Sequence, residues 1–193
     1  MGMPAMVVPE PEGDLWTIAD LERLPDDGNR YETLHGELLV TPLPSNAHQG
    51  LAAELVYELI RWARQTEGFA VRAPGGVYIS PTSWLEPDIA VYPVSRYSTV
   101  PWRDLPPPVL VVEVLSPSTR TRDRHRKRPA YLAHGVSEVW MVDRHQQRLE
   151  RWTAASEFPT VVTDRLEWAP SESLPPLTLP LSALWGADEP MGE

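Results

Sequence analysis

Cysteine and long hydrophobic runs are both missing from this chain of 193 residues. The absence of cysteine excludes disulfide bonds and thiolate metal sites. No stretch approaches the roughly 20 consecutive apolar residues that a membrane-spanning helix needs. The first ten residues contain no basic segment followed by a long apolar stretch, so the sequence predicts no signal peptide. These absences favour a soluble, cytoplasmic protein that has no membrane partner.

Lysine is also nearly absent, since Lys127 is the one lysine among seventeen Lys and Arg residues. The formal net charge of −10 argues against tight non-specific binding to nucleic acid, because neutralising phosphates requires exposed basic side chains. The basic residues are unevenly distributed, however, and six of the seventeen lie between Arg120 and Arg128. A local basic surface can bind a phosphate backbone even on an acidic protein.

The length predicts one compact domain with a hydrophobic core of its own. We place this single domain at residues 16–186, between a flexible N-terminal segment (1–15) and a flexible tail (187–193). Proline is abundant, with 22 residues, and its clusters at 101–108 and 170–180 indicate irregular connections. The chain contains no internal repeat.

Hydrophobic periodicity predicts an α/β fold. Apolar residues from Leu51 to Ala63 recur at helical spacing after Ser45 or Asn46, either of which can cap the helix. His35-Gly36 predicts a tight hairpin turn between two short strands. We therefore predict a mixed sheet flanked by helices, with extra β-hairpins. A further helix is predicted at about Arg122–His134, ended by Gly135. The further predicted strands are Phe69–Ala73, Gly76–Ser80, Pro87–Tyr92, Val109–Leu115, Glu138–Asp143, Arg148–Thr153, Thr160–Thr163 and Leu166–Trp168.

Glu113 is a carboxylate inside an apolar strand, and the run Val109–Leu115 is typical of a strand buried on both faces. An ionised carboxylate there is costly unless a cation or hydrogen bonds compensate it. A second carboxylate, Asp88, begins the preceding apolar strand, and Lys127 follows downstream. Two carboxylates on neighbouring core strands, with one ammonium nearby, predict a site for a hard divalent metal and an activated water.

Each of these residues also has a plainer interpretation. Glu113 could be a structural acid paired with an arginine, and Asp88 could cap a turn. Lys127, taken alone, would be a solvated surface residue, and Glu37 could be an ordinary acid at the end of a hairpin. His48 lies in the first turn of its helix, where it could be a surface or capping residue or a contact of the site or a phosphate.

Residues along most of the chain carry a resemblance to a known family. They are Tyr31, Glu32, Gly36, Glu37, His48, Pro87, Asp88, the stretch Glu113–Thr119, and Asp123, Lys127, Tyr131, Gly135, Val136, Glu138, Val139, Trp140, Val142 and Asp143. In this arrangement the chain resembles the Uma-type restriction endonuclease family, which belongs to the PD-(D/E)XK nuclease superfamily. The resemblance extends from about residue 15 to residue 185 and is most specific over residues 113–143.

This resemblance implies a restriction-endonuclease-like core and hydrolysis of phosphodiester bonds in DNA with Mg²⁺ or Mn²⁺. It implies that Asp88 and Glu113 bind the metal and that Lys127 assists the attacking water. Glu37 matches an acid of the family that supports a second metal or orients water. The simplest superfamily pattern has a lysine two positions after the second acid, where this chain has Leu115. The family carries its lysine on the following helix, and Lys127 matches that position.

Other residues complete the predicted site. We assign His48 and Tyr131 to the surroundings of the metal ligands. Four arginines of the basic run fit either a solvated helix face or contacts with a DNA backbone. These are Arg120, Arg122, Arg124 and Arg126. A homodimer is a further hypothesis, because many nucleases cut two strands with two subunits.

Pro129 departs from the expected pattern, because it lies two residues after Lys127 and inside the predicted helix. Proline removes one backbone hydrogen bond and clashes with the carbonyl four residues earlier, at His125. The sequence therefore predicts that the helix starts late, near Arg126, or kinks there. Either outcome would shift Lys127.

Two other classes of function fit the same residues. A catalytically silent binding module with a nuclease fold agrees with the acidic charge and with Pro129. Buried like charges oppose that interpretation, since a purely structural domain has little use for them. A metal-dependent hydrolase of a small phosphorylated substrate would use the same ligands. Cleavage assays on plasmid or oligonucleotide DNA separate these classes from an endonuclease.

Overall fold

The computed structural model describes residues 9–186, and within this range the chain forms two compact units. The first comprises the described residues up to Leu43 together with Tyr78–Leu85. The second comprises Pro44–Val77 and the described residues from Glu86 onward. Residues 1–8, in the predicted N-terminal segment, and the predicted tail at 187–193 lie outside the described residues. The flexible ends and the single domain at 16–186 stay predictions.

Short strands and one long helix make up most of the regular structure. In chain order the elements are α1 (Ile18–Leu21), β1 (Arg30–Leu34), β2 (Glu37–Thr41), α2 (Asn46–Thr66), β3 (Ala70–Arg72), β4 (Val77–Ser80), β5 (Ser83–Leu85), β6 (Ile89–Tyr92), a 3₁₀ turn (Trp102–Asp104), β7 (Leu110–Val114), α3 (Arg120–Arg122), a π-helical segment (Asp123–Lys127), α4 (Arg128–His134), β8 (Glu138–Asp143), β9 (Arg148–Trp152), β10 (Thr160–Val162), β11 (Arg165–Trp168), β12 (Leu177–Pro180) and α5 (Ser182–Trp185).

A four-stranded sheet with the order β2-β1-β5-β4 accounts for most of the first unit. β1 and β2 pair antiparallel from Arg30↔Thr41 to Leu34↔Glu37, so His35 and Gly36 form a two-residue turn. Both turn residues have positive φ, 54° and 79°, as a type I′ turn requires. The predicted hairpin turn is therefore confirmed.

A six-stranded sheet with the order β10-β9-β8-β7-β6-β3 forms the second unit, together with the β11–β12 hairpin. Only β7 and β8 pair in parallel, and the other four neighbouring pairs in this sheet are antiparallel. The sheet is mixed and carries helices, which confirms the predicted α/β class. A parallel pair requires a crossover connection, and here residues 120–134 provide it as a helix.

The apolar stripe of α2 packs against the six-stranded sheet. Ser45 caps this helix by accepting a hydrogen bond from the backbone N–H of His48. The helix buries Leu51, Leu55 and Leu59 in a cluster that includes Val112 of β7. Burying each of these leucines contributes roughly 1.5–3 kcal/mol, so the packing fixes the position of the helix on the sheet. No helix among residues 9–186 combines the length and apolar character that spanning a membrane requires.

The helical connection from β7 to β8 changes its geometry along its length. It begins at Arg120, so the predicted late start near Arg126 is wrong. It continues as a π-helix over Asp123–Lys127, where the N–H of Arg128 donates to the carbonyl of Asp123, five residues earlier. The distortion predicted for this helix therefore takes the form of a π-helical turn.

Pro129 lies two residues after the end of this turn, in the first turn of α4. A proline is tolerated there, because its missing N–H would have no partner within the α-helix that begins at Arg128. Gly135 ends the helix with φ of 100°, as predicted, and its N–H donates to backbone carbonyls of α4.

Two strands were missed in the sequence. β5 has only three residues, which is too short for a visible alternation of apolar and polar residues. β12 lies in the proline-rich stretch that was predicted to be irregular, although Leu177 and Leu179 are buried and alternate as strand residues do. Pro180 ends β12, a position where proline removes little from a ladder.

Candidate active site

Glu113 lies on the side of the six-stranded sheet that the helical connection covers. Its neighbours Val112 and Val114 pack into the core cluster with α2. Because side chains alternate along a strand, Glu113 points to the other side, where it contacts residues of the connection. All five residues of β7 are buried, which confirms the prediction of a strand buried on both faces.

Two donors hold one carboxylate oxygen of Glu113. The Nζ of Lys127 lies 2.7 Å from Oε1, and the hydroxyl of Tyr131 donates to the same oxygen at 2.7 Å. Lys127 is only 2% exposed, so its ammonium lies in the interior. The pairing compensates both buried charges, since either one alone would carry a large desolvation cost. The interpretation of Lys127 as a surface lysine is thereby excluded.

Asp88 lies immediately before β6, which is the strand next to β7. Its Oδ2 accepts a hydrogen bond from the backbone N–H of Val114 at 2.8 Å. β6 and β7 pair antiparallel with Ile89 opposite Val112. Asp88 itself precedes the paired residues of β6. Its carboxylate is thereby bound to β7 at the residue that follows Glu113.

His48, in the first turn of α2, reaches the same place. Its Nε2 lies 3.1 Å from Oδ2 of Asp88 and 3.0 Å from the carbonyl oxygen of Val114. Its side chain is only 14% exposed. Of the interpretations given for this histidine, the structure supports a contact with the predicted metal ligand, whereas the helix cap is Ser45.

Glu37 belongs to the first unit, whereas Asp88, Glu113 and Lys127 belong to the second. It is exposed and begins β2 directly after the hairpin turn. Within the second unit, the structure brings Lys127 and Tyr131 onto Glu113, and His48 onto Asp88. The role of Glu37 stays a prediction.

The basic run divides into exposed and engaged arginines. Arg120 is exposed, and Arg122 and Arg126 are half-buried. Arg124 instead contacts two acids, with Nη2 at 2.9 Å from Oε1 of Glu150 and 3.3 Å from Oδ2 of Asp143. Because these acids already compensate its charge, we leave Arg124 out of the residues proposed to contact DNA.

Glu150 forms a second buried acidic centre that sequence reasoning missed. It accepts hydrogen bonds from Arg124, from Arg148 at 2.8 Å and from the indole N–H of Trp152 at 3.4 Å. Burial raises the pKa of Glu150, but its hydrogen bonds and the positive charge of Arg124 outweigh burial and lower the pKa overall. Burial lowers the pKa of Arg124, and its two acids raise it by more. The sequence contained one signal for this centre, since Glu150 lies between Arg148 and Arg151 in a predicted strand.

A cavity of about 260 Å³ lies beside the ends of β7 and β8. It begins two residues beyond Glu113, a distance of about 7 Å along a strand. Arg120 contributes an exposed guanidinium to it. The lining residues are Leu115, Ser116, Pro117, Arg120, Asp143 and His145.

The donor set is suited to a hard cation such as Mg²⁺. Within residues 9–186 no group of three or more His, Cys, Asp or Glu side chains is arranged to hold a metal. Mg²⁺ commonly binds through one or two carboxylates and keeps several waters, so a site for this ion would need no third protein ligand. Each carboxylate is oriented by hydrogen bonds at one oxygen, as metal-binding carboxylates usually are.

The chain is similar to one known protein family and to a solved structure. The model of the Uma2 family, described as "Putative restriction endonuclease", matches residues 18–182, which is most of the chain. The fold is similar to the crystal structure of a protein from Anabaena variabilis described as "a putative nuclease belonging to DUF820". That similarity has a TM-score of 0.72 at 18% identity and covers 88% of this chain and 97% of the other. A search of curated proteins found no match.

Proposed function

Because the chain belongs to the Uma2 family, we propose that it is a divalent-metal-dependent endonuclease that hydrolyses phosphodiester bonds in DNA. The observation that carries the proposal is the contact between buried Glu113 and buried Lys127, with the carboxylate of Asp88 on the adjacent strand. A stable fold has little need for two neighbouring carboxylates in its interior, whereas phosphodiester hydrolysis uses such a pair.

Asp88 and Glu113 would hold Mg²⁺ or Mn²⁺ at this position. The ion, when bound, would lower the pKa of a water molecule and stabilise negative charge on the reacting phosphate. Tyr131 and His48 keep the two carboxylates in a fixed orientation, through Oε1 of Glu113 and Oδ2 of Asp88 respectively. A ligand that is already oriented needs little reorganisation during the reaction.

Lys127 would supply a second positive charge beside that of the metal ion, and this charge comes from the protein itself. Its Nζ is anchored on Glu113, and an ammonium at this position would orient the attacking water or stabilise a phosphate oxygen as charge develops. Because the ammonium is buried, bulk water screens it weakly, and its effect on a nearby anion is larger than on a surface.

Residues around this centre would bind the nucleic acid. We propose that Arg120 contacts a backbone phosphate next to the one that is cleaved, since its cavity begins two residues beyond Glu113. Arg122 and Arg126 would make further backbone contacts, and Glu37 would act as an auxiliary acid. A homodimer would provide two sites for two strands, and the location that we propose is the cytoplasm.

Cleavage assays test this proposal directly. Supercoiled plasmid and labelled single- and double-stranded oligonucleotides are incubated with Mg²⁺, Mn²⁺ or EDTA, using wild type, Asp88→Asn and Glu113→Gln. Glu167→Gln is a matched control, because Glu167 is an exposed acid on β11, outside the six-stranded sheet, and its carboxylate lies 3.5 Å from Nε of Arg165. We expect metal-dependent cutting by wild type and the control, and none by the two site variants.

Absence of cutting on every nucleic acid by a folded wild type that binds metal would contradict the proposal. A small phosphorylated substrate would then be the remaining hydrolytic hypothesis. Absence of both cutting and metal binding would instead favour a binding module.

A further inference from the structure

The π-helical segment Asp123–Lys127 contributes basic side chains to two buried glutamates on the same face of the sheet. Glu113 of β7 is in register with Met141 of β8, and Met141 is in register with Glu150 of β9. The three residues form one row across the sheet, so Glu113 and Glu150 are two strands apart, a distance of about 10 Å. Lys127 contacts the first glutamate and Arg124 the second.

We propose that Arg124 is a positioning residue that fixes the π-helical segment on the sheet and thereby holds Lys127 against Glu113. The positioning of Lys127 does not depend on the proposed function, whereas its consequence for catalysis rests on it.

Arg124 is well suited to act as an anchor. Its Nε and Nη2 both donate to Glu150, at 3.3 and 2.9 Å, and Nη2 also reaches Asp143 at 3.3 Å. A planar guanidinium that bonds two acids on neighbouring strands has little freedom to slide or rotate. Glu150 is itself held by Arg148 and Trp152. The anchor therefore connects the π-helical segment to a rigid part of β8 and β9.

The π-helical geometry explains why an anchor is needed. π-helical turns are rare, and they persist where the surrounding structure supports them, often at functional sites. If the segment relaxed toward α-helical geometry, residues after the turn would rotate relative to residues before it. Lys127 is the last residue of the segment and would leave its 2.7 Å contact with Glu113. Arg124 lies three residues earlier and binds the sheet on the same side.

Lys127 offers an unusually direct readout, because it is the one lysine of the chain. Protein made with ¹³Cε-labelled lysine gives a single side-chain resonance, which reports on the surroundings of this ammonium without any substrate or metal. Glu113→Gln provides the reference for a Lys127 that has lost its partner. The variant that tests the proposal is Arg124→Met, which keeps the length of the side chain and removes the guanidinium.

The matched control is Arg148→Met. Arg148 also donates to Glu150 and carries the same charge, but it lies on β9 and not on the helical connection. Both substitutions remove one positive charge from the same glutamate, so a general electrostatic effect would appear in both. We expect the Lys127 resonance of Arg124→Met to move toward that of Glu113→Gln or to broaden, and the resonance of Arg148→Met to stay near wild type.

Activity gives a second readout. A misplacement of about 1 Å in a catalytic group can cost roughly 100-fold in rate. We expect kcat of Arg124→Met to fall about 100-fold with KM changed less than about 3-fold, because substrate contacts remain. Arg148→Met should stay within about 3-fold of wild type in both constants. A raised KM with unchanged kcat would instead identify Arg124 as a DNA contact.

Three results would overturn the proposal. They are an unchanged Lys127 resonance in folded Arg124→Met, an equal change in Arg148→Met, or a kcat that stays at the wild-type value. Should Arg124→Met not fold, Glu150→Gln takes its place, because it keeps an acceptor for Arg124 and removes only the charge. We then expect a smaller change of the Lys127 resonance in the same direction. No change in that resonance would contradict the proposal. If no variant or wild type cuts DNA, the resonance still decides the positioning of Lys127, so the two proposals fail separately.

Discussion

Two buried glutamates, Glu113 and Glu150, lie in one row on the same face of the sheet and under the same helical connection. Glu150 accepts hydrogen bonds from two guanidinium groups and an indole. Glu113 contacts one ammonium and one phenol, and the second carboxylate, Asp88, lies on the neighbouring strand. The two centres therefore differ in how far positively charged side chains compensate the carboxylates.

This difference separates a centre that we interpret as structural from the one that we propose to be functional. Around Glu150 the positive charges of Arg124 and Arg148 compensate Glu150 and Asp143, so the cluster is balanced without any ligand. At the other centre the carboxylate of Asp88 is bound to the backbone of Val114, the residue after Glu113, and nearby like charges repel each other. A divalent cation would relieve that repulsion. Neither the burial of an acid nor a second acid beside it is therefore a sign of function by itself. The centres differ in whether the positive side chains of the protein compensate the acids.

The largest expected effect is on catalysis. Glu113→Gln removes a proposed metal ligand and should lower cleavage by at least about 1,000-fold, which corresponds to about 4 kcal/mol of transition-state stabilisation. Glu150→Gln acts only through the position of Lys127 and should cost no more than about 100-fold. Cleavage rates at saturating Mg²⁺ measure both. Equal losses in the two variants would remove the distinction between the centres.

The two centres should rank in the opposite order for stability, because a change at Glu150 should cost more than removal of the Glu113–Lys127 pair. Glu150→Gln leaves Arg124 and Arg148 without a full counter-charge, and we expect the free energy of unfolding to fall by about 3 kcal/mol. The double variant Glu113→Gln/Lys127→Met removes a whole buried pair, and replacing such a pair is often neutral or stabilising by about 1–4 kcal/mol. Urea denaturation measures both values. A double variant that is less stable than Glu150→Gln would show that the Glu113 centre is structural.

Tyr131→Phe sharpens the comparison with a single hydroxyl. Removing the hydrogen bond to Oε1 of Glu113 should cost about 1 kcal/mol of stability, since Lys127 still contacts that oxygen. Cleavage should fall about 10-fold, because the carboxylate is less firmly oriented. The matched variant Trp152→Phe removes the donor to Glu150 and should change stability without changing cleavage more than about 3-fold. Normal activity in Tyr131→Phe would argue against an orienting role.

The smallest predicted effect concerns pH. The pKa of folded Glu150 lies below its ordinary value of 4.5, so the unfolded chain binds more protons than the folded chain between the two pKa values. Its contribution is therefore complete above pH 4.5 and is lost as the pH falls through the lower, folded pKa. As the pH is lowered from 5 toward 3, wild type should lose more stability than Glu150→Gln, because only wild type carries this carboxylate. Parallel losses in urea denaturation at these pH values would contradict this.

The parts of the site that could be predicted from the sequence are those that break a local pattern. Glu113 interrupts an apolar strand, and Lys127 is a lysine in a chain of arginines. Such exceptions are visible in one sequence, and the structure brings these residues into contact. The main strands could also be predicted, because each contains an apolar run that is longer than the uncertain stretch at either of its ends.

The rest depends on contacts between distant residues. Nothing local distinguishes Arg124, bound to Glu150 of β9, from the exposed Arg120 four residues earlier. The π-helical turn was predicted only as an unspecified distortion, because Pro129 signals a problem in the helix and the packing against the sheet decides its solution. His48 could not be assigned, since its partner Asp88 lies 40 residues away in sequence.

Metal binding tests the central claim most directly. Titration of Mn²⁺ into the protein, followed by electron paramagnetic resonance of the free ion, counts bound ions without requiring any substrate. We predict one bound ion per chain for wild type and for Glu150→Gln, and loss of this binding in both Asp88→Asn and Glu113→Gln. Undiminished Mn²⁺ binding in Glu113→Gln, or binding that disappears only when Glu150 is changed, would contradict the account.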